Sequence, residues 1–442
     1  MGKHSSTQRD RVLESSHDKP RSSRMGDLIG STTFQLFCAI VIGVFLPDFT
    51  KKVYENASAS IFIVDETMIG TVIAILFGYL VYRKLACLPG TNALLNLLPG
   101  FLIAYLAVTT VFFALRLDFS RQQFVMSFLF VCVFFWAVTY VLNRVRAETY
   151  GLVSVGGTDT LSSIDHVNWV HFDSPKDADE FVEIPIVADM HASMSPEWER
   201  YIAEVAISGR RVFNAKHLKE SLEGKVEIEH ISENTFGHLA PDSIYAPLKL
   251  YIDIVVSIAA LAVLWPIMLI VAIAIRLDTK GPALFRQERM GFRGKSFVAY
   301  KFRSMNIAAS GKNAPVAVLD ITDANDQRIT RVGRFIRHTR LDELPQLLNV
   351  LKGEMSLIGP RPETLKLSQW YEDQIPFYRY RHIVRPGITG WAQVKQGHVT
   401  SVDDVRTKLR YDFYYVRHFS FWLDILIVMH TLRVMITGHG AK

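Results

Sequence analysis

Four stretches of this chain carry no charged side chain: residues 31–47, 67–82, 93–115 and 123–142. In hydrocarbon a backbone amide or carbonyl finds no water. Apolar runs of about 17–25 residues are therefore stable in a bilayer only as helices, and the second run is at the short end. Basic residues precede the first run (Lys19, Arg21, Arg24), separate the second from the third (Arg83, Lys84) and follow the fourth (Arg144, Arg146). Lys51, Lys52, Arg116 and Arg121 fall on the opposite side. The distribution favours both ends in the cytoplasm. The absence of charge inside the runs argues against an ion pathway or proton relay. Residues 25–147 are accordingly read as a four-helix transmembrane bundle. It follows a polar, basic tail, 1–24, that lacks the apolar core of a signal peptide.

The remaining length requires further domains, since 442 residues exceed the roughly 150 expected of one. Three cysteines, no two at metal-ligand spacing, exclude a disulfide framework and a zinc site. A net charge of +6 suits a membrane surface, a nucleic acid or a phosphorylated ligand equally. Between 148 and 243, "GLVSVGG" and "EIPIVADM" read as buried strands, and "RRVFNAKHL" begins another. "SPEWERYIAEVAISG" has helical spacing, with Trp198, Ile202, Val205 and Ala206 on one face. Alternating strand and helix predict a small α/β, Rossmann-like cytoplasmic domain. The "VGGT" turn lacks the full G-x-G-x-x-G pattern, so a spacer or regulatory role outweighs nucleotide binding there.

A fifth apolar run, 251–275, has Pro266 at its middle and cations at both ends (Lys249, Arg276, Lys280). Proline removes a helical hydrogen bond and clashes with the preceding turn, so a kink is expected. Positive charge at both ends fits a hairpin that returns to one face. A further apolar segment, 419–437, is interrupted by Asp424, His430 and Arg433, a pattern suited to an amphipathic interfacial helix.

The chemistry concentrates in the last half. Arg328, Arg331, Arg334, Arg337 and Arg340 recur at every third position and lead to adjacent acids, Asp342 and Glu343. Leu344, Leu347, Leu348 and Leu351 mark one helix face, and Gly353 marks its stop, so Asp342 is expected at or near the N-cap. Capping alone explains an Asp there. The neighbours point further. Pro360 and Pro362 bracket Arg361, a stiff mount for a guanidinium that could clamp phosphate. Upstream, "FRQERMGFRGKSFVAYKFRSM" adds Arg286, Arg289, Arg293, Lys295, Lys301 and Arg303 in a hairpin-like stretch. Acids among so many cations are expected to stay ionised. An ionised Asp is a competent nucleophile, and a neighbouring Glu suits Mg²⁺.

Four stretches carry a resemblance: "YKFRSM" (300–305), "RITRVGRFIRHTRLDELPQLLNVLKGEMSLIGPRPE" (328–363), "VRPGITGWAQV" (384–394) and "YDFYYVRHFSFWLDI" (411–425). In this order they resemble the bacterial sugar transferases, the polyprenyl-phosphate hexose-1-phosphate transferases of the large, monotopic type. The resemblance implies a catalytic domain over 244–442 with a re-entrant helix, 247–276, broken at Pro266. It implies that Asp342 attacks the β-phosphate of a UDP-sugar, that UMP leaves, and that undecaprenyl phosphate collects the hexose phosphate. Glu343 would hold Mg²⁺ or assist proton handling. Arg337 and Arg361, together with Arg289, Lys301 and Arg303, would bind substrate phosphate. The step would begin synthesis of an exopolysaccharide, capsule or O-antigen at the inner membrane, with no nucleic acid partner and a homodimer left open. Two departures stand out: Trp265 precedes the proline where small members often have Ser, and Lys395-Gln396-Gly397-His398 replaces a Gly-Arg-Asn stretch. The competing reading is a non-catalytic scaffold or sensor on anionic lipids, which needs neither the acidic pair nor a rigid Arg361.

Overall fold

Each of the four uncharged runs forms a helix in the computed structural model, which describes residues 30–54, 66–86, 93–145, 149–164, 167–182, 184–226, 244–306, 328–396 and 402–437. The tail 1–24, Gly397 and His398 lie outside the described residues. The helices are α1 (Thr32–Thr50), α2 (Glu66–Ala86), α3 (Ala93–Leu115) and α4 (Arg121–Val145). Their inner faces share one cluster that includes Ile75, Tyr79, Phe101, Tyr105 and Phe135. Polar groups inside it are paired, Tyr105 Oη with Ser127 Oγ at 2.8 Å and Tyr79 Oη donating to Gln35 Oε1 at 3.2 Å. That is what a medium without water demands. The opposite faces present Ile73, Leu106 and Val133 outward. With α7 below, five described helices are long and apolar enough to cross a bilayer, and the chain is a membrane protein.

The α/β region contains β1 (Thr149–Val153), β2 (Asn168–Phe172), β3 (Ile186–Ala188), α5 (Pro196–Ile207), β4 (Val212–Asn214) and α6 (Ala215–Glu223). The strands are all parallel, in the order β2-β1-β3-β4. Trp198, Ile202 and Val205 turn inward as their spacing requires. Ala206, read as part of that face, is exposed, and β2 was not anticipated because the short run "NWVHF" has polar residues at its first and fourth positions, which breaks the apolar alternation.

The chain divides into two compact units, Met1–Glu223 and Gly224–Lys442. The second is built on α7 (Tyr245–Asp278), one helix of 34 residues with Pro266 inside it. The proline does not end it. Its middle is bare apolar surface: Val263, Trp265 and Ile270 are 73%, 59% and 66% exposed. Both ends are fastened by polar contacts. Near the start, Lys249 Nζ meets Asp424 at 2.7 Å and Ser356 Oγ donates to Asp253 at 2.6 Å. At the end, Val332 N donates to Asp278 at 3.3 Å and Arg303 Nη2 donates to the Thr279 carbonyl at 2.8 Å.

The expected hairpin is present: β5 (Leu284–Met290) pairs antiparallel with β6 (Ser296–Phe302). Then follow α8 (Arg331–His338), a 3₁₀ turn over Leu341–Gln346, α9 (Leu347–Leu351), β7 (Ser356–Ile358), β8 (Gly387–Thr389), α10 (Val402–Arg417) and α11 (Phe421–Thr437). Asn349, fully buried, ties α9 to β6 by accepting from Tyr300 N and donating to the Val298 carbonyl. The interfacial reading of α11 needs correction at Asp424. That residue faces inward, 4% exposed, and accepts from Tyr245 and Tyr415 while it pairs with Lys249. A buried carboxylate is stable only with such partners.

Candidate active site

The acids are positioned by a close approach of two backbones. Thr330 caps α8 through its hydroxyl, which accepts from Gly333 N, and its own amide donates to the Ser304 carbonyl. A Cβ at Gly333 would lie 2.0 Å from that carbonyl oxygen, so only glycine allows α8 to sit against the end of β6. After α8 the chain turns through Arg340, a non-glycine residue at φ 59°. Left-handed backbone at such a residue is strained and must be held by its surroundings. The 3₁₀ turn then begins at Leu341. Asp342 therefore lies in the first turn, near the N-cap position that Arg340 takes, as the leucine spacing allowed. Pro345 and the αL turn tighten the start into a 3₁₀ turn, and Leu348 points outward, 38% exposed.

The two carboxylates face different surroundings. Glu343 is buried, and its Oε1 receives Arg361 Nη2 at 2.6 Å, Lys301 Nζ at 3.5 Å and Arg340 Nη1 at 3.9 Å. Burial alone would favour the neutral acid, but Arg361 and Lys301 outweigh it and hold Glu343 well below the usual carboxylate range. Asp342 shifts the other way. Burial pushes its pKa up, the Glu343 charge adds to the rise, and Lys301 and Arg361 offset only part of it. The two neighbouring carboxylates thus shift in opposite directions. One buried anion in the pair makes a second one harder to form. Asp342 Oδ1 is buried with no hydrogen-bond partner among the described residues. Lys301 is pushed down to about 8 by burial and by the Arg361 charge.

The other anticipated phosphate ligands divide. Arg361 and Lys301 join the acids. Arg337 lies on α8, and its Nη1 is buried without a hydrogen-bond partner among the described residues. Arg289 donates to the Pro362 carbonyl and to Gln287 Oε1, so it grips the proline-bracketed mount from behind. Arg303 is 4% exposed and donates to the Thr279 and Lys280 carbonyls, away from the acids. Sequence reasoning missed Arg381. Its Nη2 donates to the Arg361 carbonyl at 2.9 Å and its Nε to Asp412 at 3.0 Å, so it fixes the backbone that presents Arg361. Nothing in the local pattern "RYRHIV" signals that contact. Glu363 pairs with Lys408 at 2.5 Å. Burial opposes its charge, but Lys408 and Arg381 hold it down at about 2.

No group of three or more His, Cys, Asp or Glu side chains converges among the described residues. Any divalent ion here must draw on the acidic pair and on ligand oxygens. Mg²⁺ accepts such a set, because it commonly binds one or two carboxylates plus substrate phosphate and water. The residues fit: all three contacts to Glu343 fall on Oε1, and Asp342 Oδ1 is an orphaned acceptor.

Residues 244–438 match a family described as bacterial sugar transferase. A UDP-N-acetylgalactosamine-undecaprenyl-phosphate N-acetylgalactosaminephosphotransferase of Aeromonas hydrophila is 40% identical over 377 residues, 85% of this chain and 88% of that protein. Two UDP-glucose:undecaprenyl-phosphate glucose-1-phosphate transferases match over less of their length. That of Xanthomonas campestris pv. campestris is 40% identical over 202 residues, 45% of this chain and 41% of the relative. That of Escherichia coli (strain K12) is 41% identical over 187 residues, 42% and 39% of the two chains.

Proposed function

The chain belongs to the bacterial sugar transferases, and from that premise we propose that it moves a sugar phosphate from a UDP-sugar to undecaprenyl phosphate, releasing UMP. The observation that carries this reading is the divided acidic pair: one carboxylate locked by Arg361 and Lys301, its neighbour with an orphaned oxygen. Asp342 Oδ attacks the β-phosphorus. The bond from that phosphorus to the oxygen bridging it to the α-phosphate breaks, and UMP leaves with that oxygen. A phosphate oxygen of undecaprenyl phosphate then attacks the same phosphorus and releases Asp342. Arg361, Lys301 and Arg337 neutralise the charge that gathers on the transferred phosphoryl group, which is most of what such a reaction needs. Glu343 keeps Arg361 and Lys301 in place, and with the donor's diphosphate it would hold Mg²⁺. The ion would supply further charge neutralisation.

The fastening of α7 supports a re-entrant path. Its two ends bind Ser356 and Arg303, which belong to one hydrogen-bonded fold, while the exposed apolar middle stands away from polar partners. A helix crossing a hydrocarbon core about 30 Å thick would put those anchors on opposite faces. The catalytic unit is then cytoplasmic, at the inner membrane of a bacterium. The N-acetylgalactosamine donor is the first to test, because the relative that names it aligns across 85% of the chain.

The full-length protein in detergent is incubated with UDP-N-acetylgalactosamine, UDP-glucose and UDP-galactose, with and without undecaprenyl phosphate. UMP release and a lipid-linked sugar are expected with at least one donor. Absence of UMP from every donor, with folded protein, sinks the reading.

A further inference from the structure

A cavity of about 840 Å³ lies in the second unit, lined by none of the acids or by the arginines and lysine around them. One wall is the start of α7, with Ala246, Leu250 and the paired Lys249 and Asp253. The other is the 3₁₀ segment Tyr378–Ile383 and the residues after it. The lining is apolar at Leu250, Ile383, Val384 and Phe419, and basic at Arg293, Arg379 and Arg385.

The basic side is assembled from two distant segments. The β5–β6 turn carries Arg293 at φ 55° and Gly294 at φ 72°. A Cβ on Gly294 would lie 3.7 Å from Arg379 Nη2, so Arg379 lies across that turn. Arg293 and Arg385 both stand over the Phe292 ring, at 4.9 and 4.8 Å from its centre, and Arg385 Nε donates to the Gly353 carbonyl. Arg293 and Arg379 make no hydrogen bond or ion pair among the described residues. The lining holds four cations, Lys249, Arg293, Arg379 and Arg385, against one carboxylate, Asp253. Asp253 already pairs with Lys249 at 3.7 Å and accepts from Ser356. His382, buried in the same wall, is pushed down to about 3 by burial and by the Arg381 and Arg379 charges, so it adds no charge at neutral pH.

A lining that is apolar on one part and cationic on another selects an amphiphile. The position selects its source. On its other faces the start of α7 exposes Leu248 and Tyr251, and Val255 and Val256 one turn later. The cavity therefore opens beside a helix with the surface of a bilayer-embedded segment. We propose that this cavity is a second phosphate site, separate from the acidic pair, which takes the phosphate headgroup of a membrane lipid on Arg293 and Arg379 and lays the first part of its chain along Leu250 and Phe419. Two lipids share that chemistry, an anionic phospholipid and the polyprenyl phosphate acceptor. The first would make the site an anchor and the second a waiting position for the acceptor.

The test reads binding rather than turnover, so it stands apart from the proposed reaction. Full-length wild type and the double variant Arg293→Gln/Arg379→Gln are placed in neutral-lipid nanodiscs. Each is titrated with phosphatidylglycerol, with undecaprenyl phosphate, or with inorganic phosphate, and bound lipid is counted by native mass spectrometry. Loss of two charge-assisted contacts is expected to weaken lipid binding at least about tenfold. Weakening confined to phosphatidylglycerol identifies an anchoring site, and weakening confined to undecaprenyl phosphate identifies an acceptor site. The single variant Leu250→Gln, which leaves the arginines and the net charge in place, should weaken either lipid without changing the response to inorganic phosphate. Unchanged binding of both lipids in the folded double variant overturns the proposal, as does an equal loss for inorganic phosphate alone.

Discussion

Asp342 and Glu343 are neighbours in sequence and opposites in charge preference, and that difference is testable. Asp342→Asn removes the proposed nucleophile with almost no change of shape. Because Asp342 caps nothing and its carboxylate is raised by burial, the variant should melt at or slightly above the wild-type temperature. It should gain no hexose phosphate when intact mass is measured with donor and no lipid. An Asn variant that still gains that mass removes Asp342 from the mechanism. The pH profile follows from the same pair. Asp342 must be ionised to attack, and its pKa is raised, so activity should climb with pH on a limb above the ordinary value of 3.8. Lys301 must be protonated to hold Glu343 and phosphate, so activity should fall as pH rises through about 8. In donor-saturated assays, a profile that does not fall through about pH 8 contradicts the Lys301 assignment, and one with no acid limb above 3.8 contradicts the Asp342 assignment. Arg361→Lys keeps the charge and loses the planar fork that meets Glu343 at 2.6 Å. A fall in kcat of about a hundredfold or more with unchanged folding is expected, in the range for loss of a positioned donor. Near-normal kcat would show that a point charge suffices.

At the scale of elements, much was legible because it depends on neighbours in the chain. Uncharged runs made α1 to α4, glycine punctuation made the β5–β6 hairpin, and Gly353, at φ 72°, stops α9. The site was only partly legible. Glu343 is held by Lys301 and Arg361, which are 42 and 18 positions away, and no periodicity reports such distances. Arg303 looked like one more phosphate ligand, yet it closes the end of α7. Asp424 looked like an interruption, yet its partners lie up to 179 positions away. Gly333 is the element-scale counterpart: its meaning lies in the Ser304 carbonyl and not in its own segment. Gly333→Ala should push α8 off β6, a backbone clash that no rotamer relieves. A loss of about 1–3 kcal/mol is expected, as for overpacked cores. A lower melting temperature together with reduced turnover, because α8 carries Arg337, is the anticipated result. An unchanged melting temperature would mean that the close approach is not what holds α8.

At the scale of the molecule, the path proposed for α7 sets the side of a bilayer on which each part is expected. At ~1.5 Å per residue its 34 residues span roughly 50 Å if straight, more than a hydrocarbon core requires. Yet its start is fastened by Lys249, Asp253 and Ser356 and its end by Asp278 and Arg303, all within Gly224–Lys442. A crossing helix would require that unit to pull apart. If α1 to α4 each cross once, as their length and composition allow, the re-entrant path places residues 224 and 290 on the same, cytoplasmic, side. Single cysteines placed at Lys225 and at Arg293, in a variant freed of Cys38, Cys87 and Cys132, can be labelled in intact cells with a reagent that does not cross the membrane. Neither position should react until the cells are opened, and both should then react alike. Labelling of Arg293→Cys but not Lys225→Cys in intact cells would falsify the re-entrant path and would place the acidic pair, with its arginines, outside the compartment that supplies nucleotide sugars.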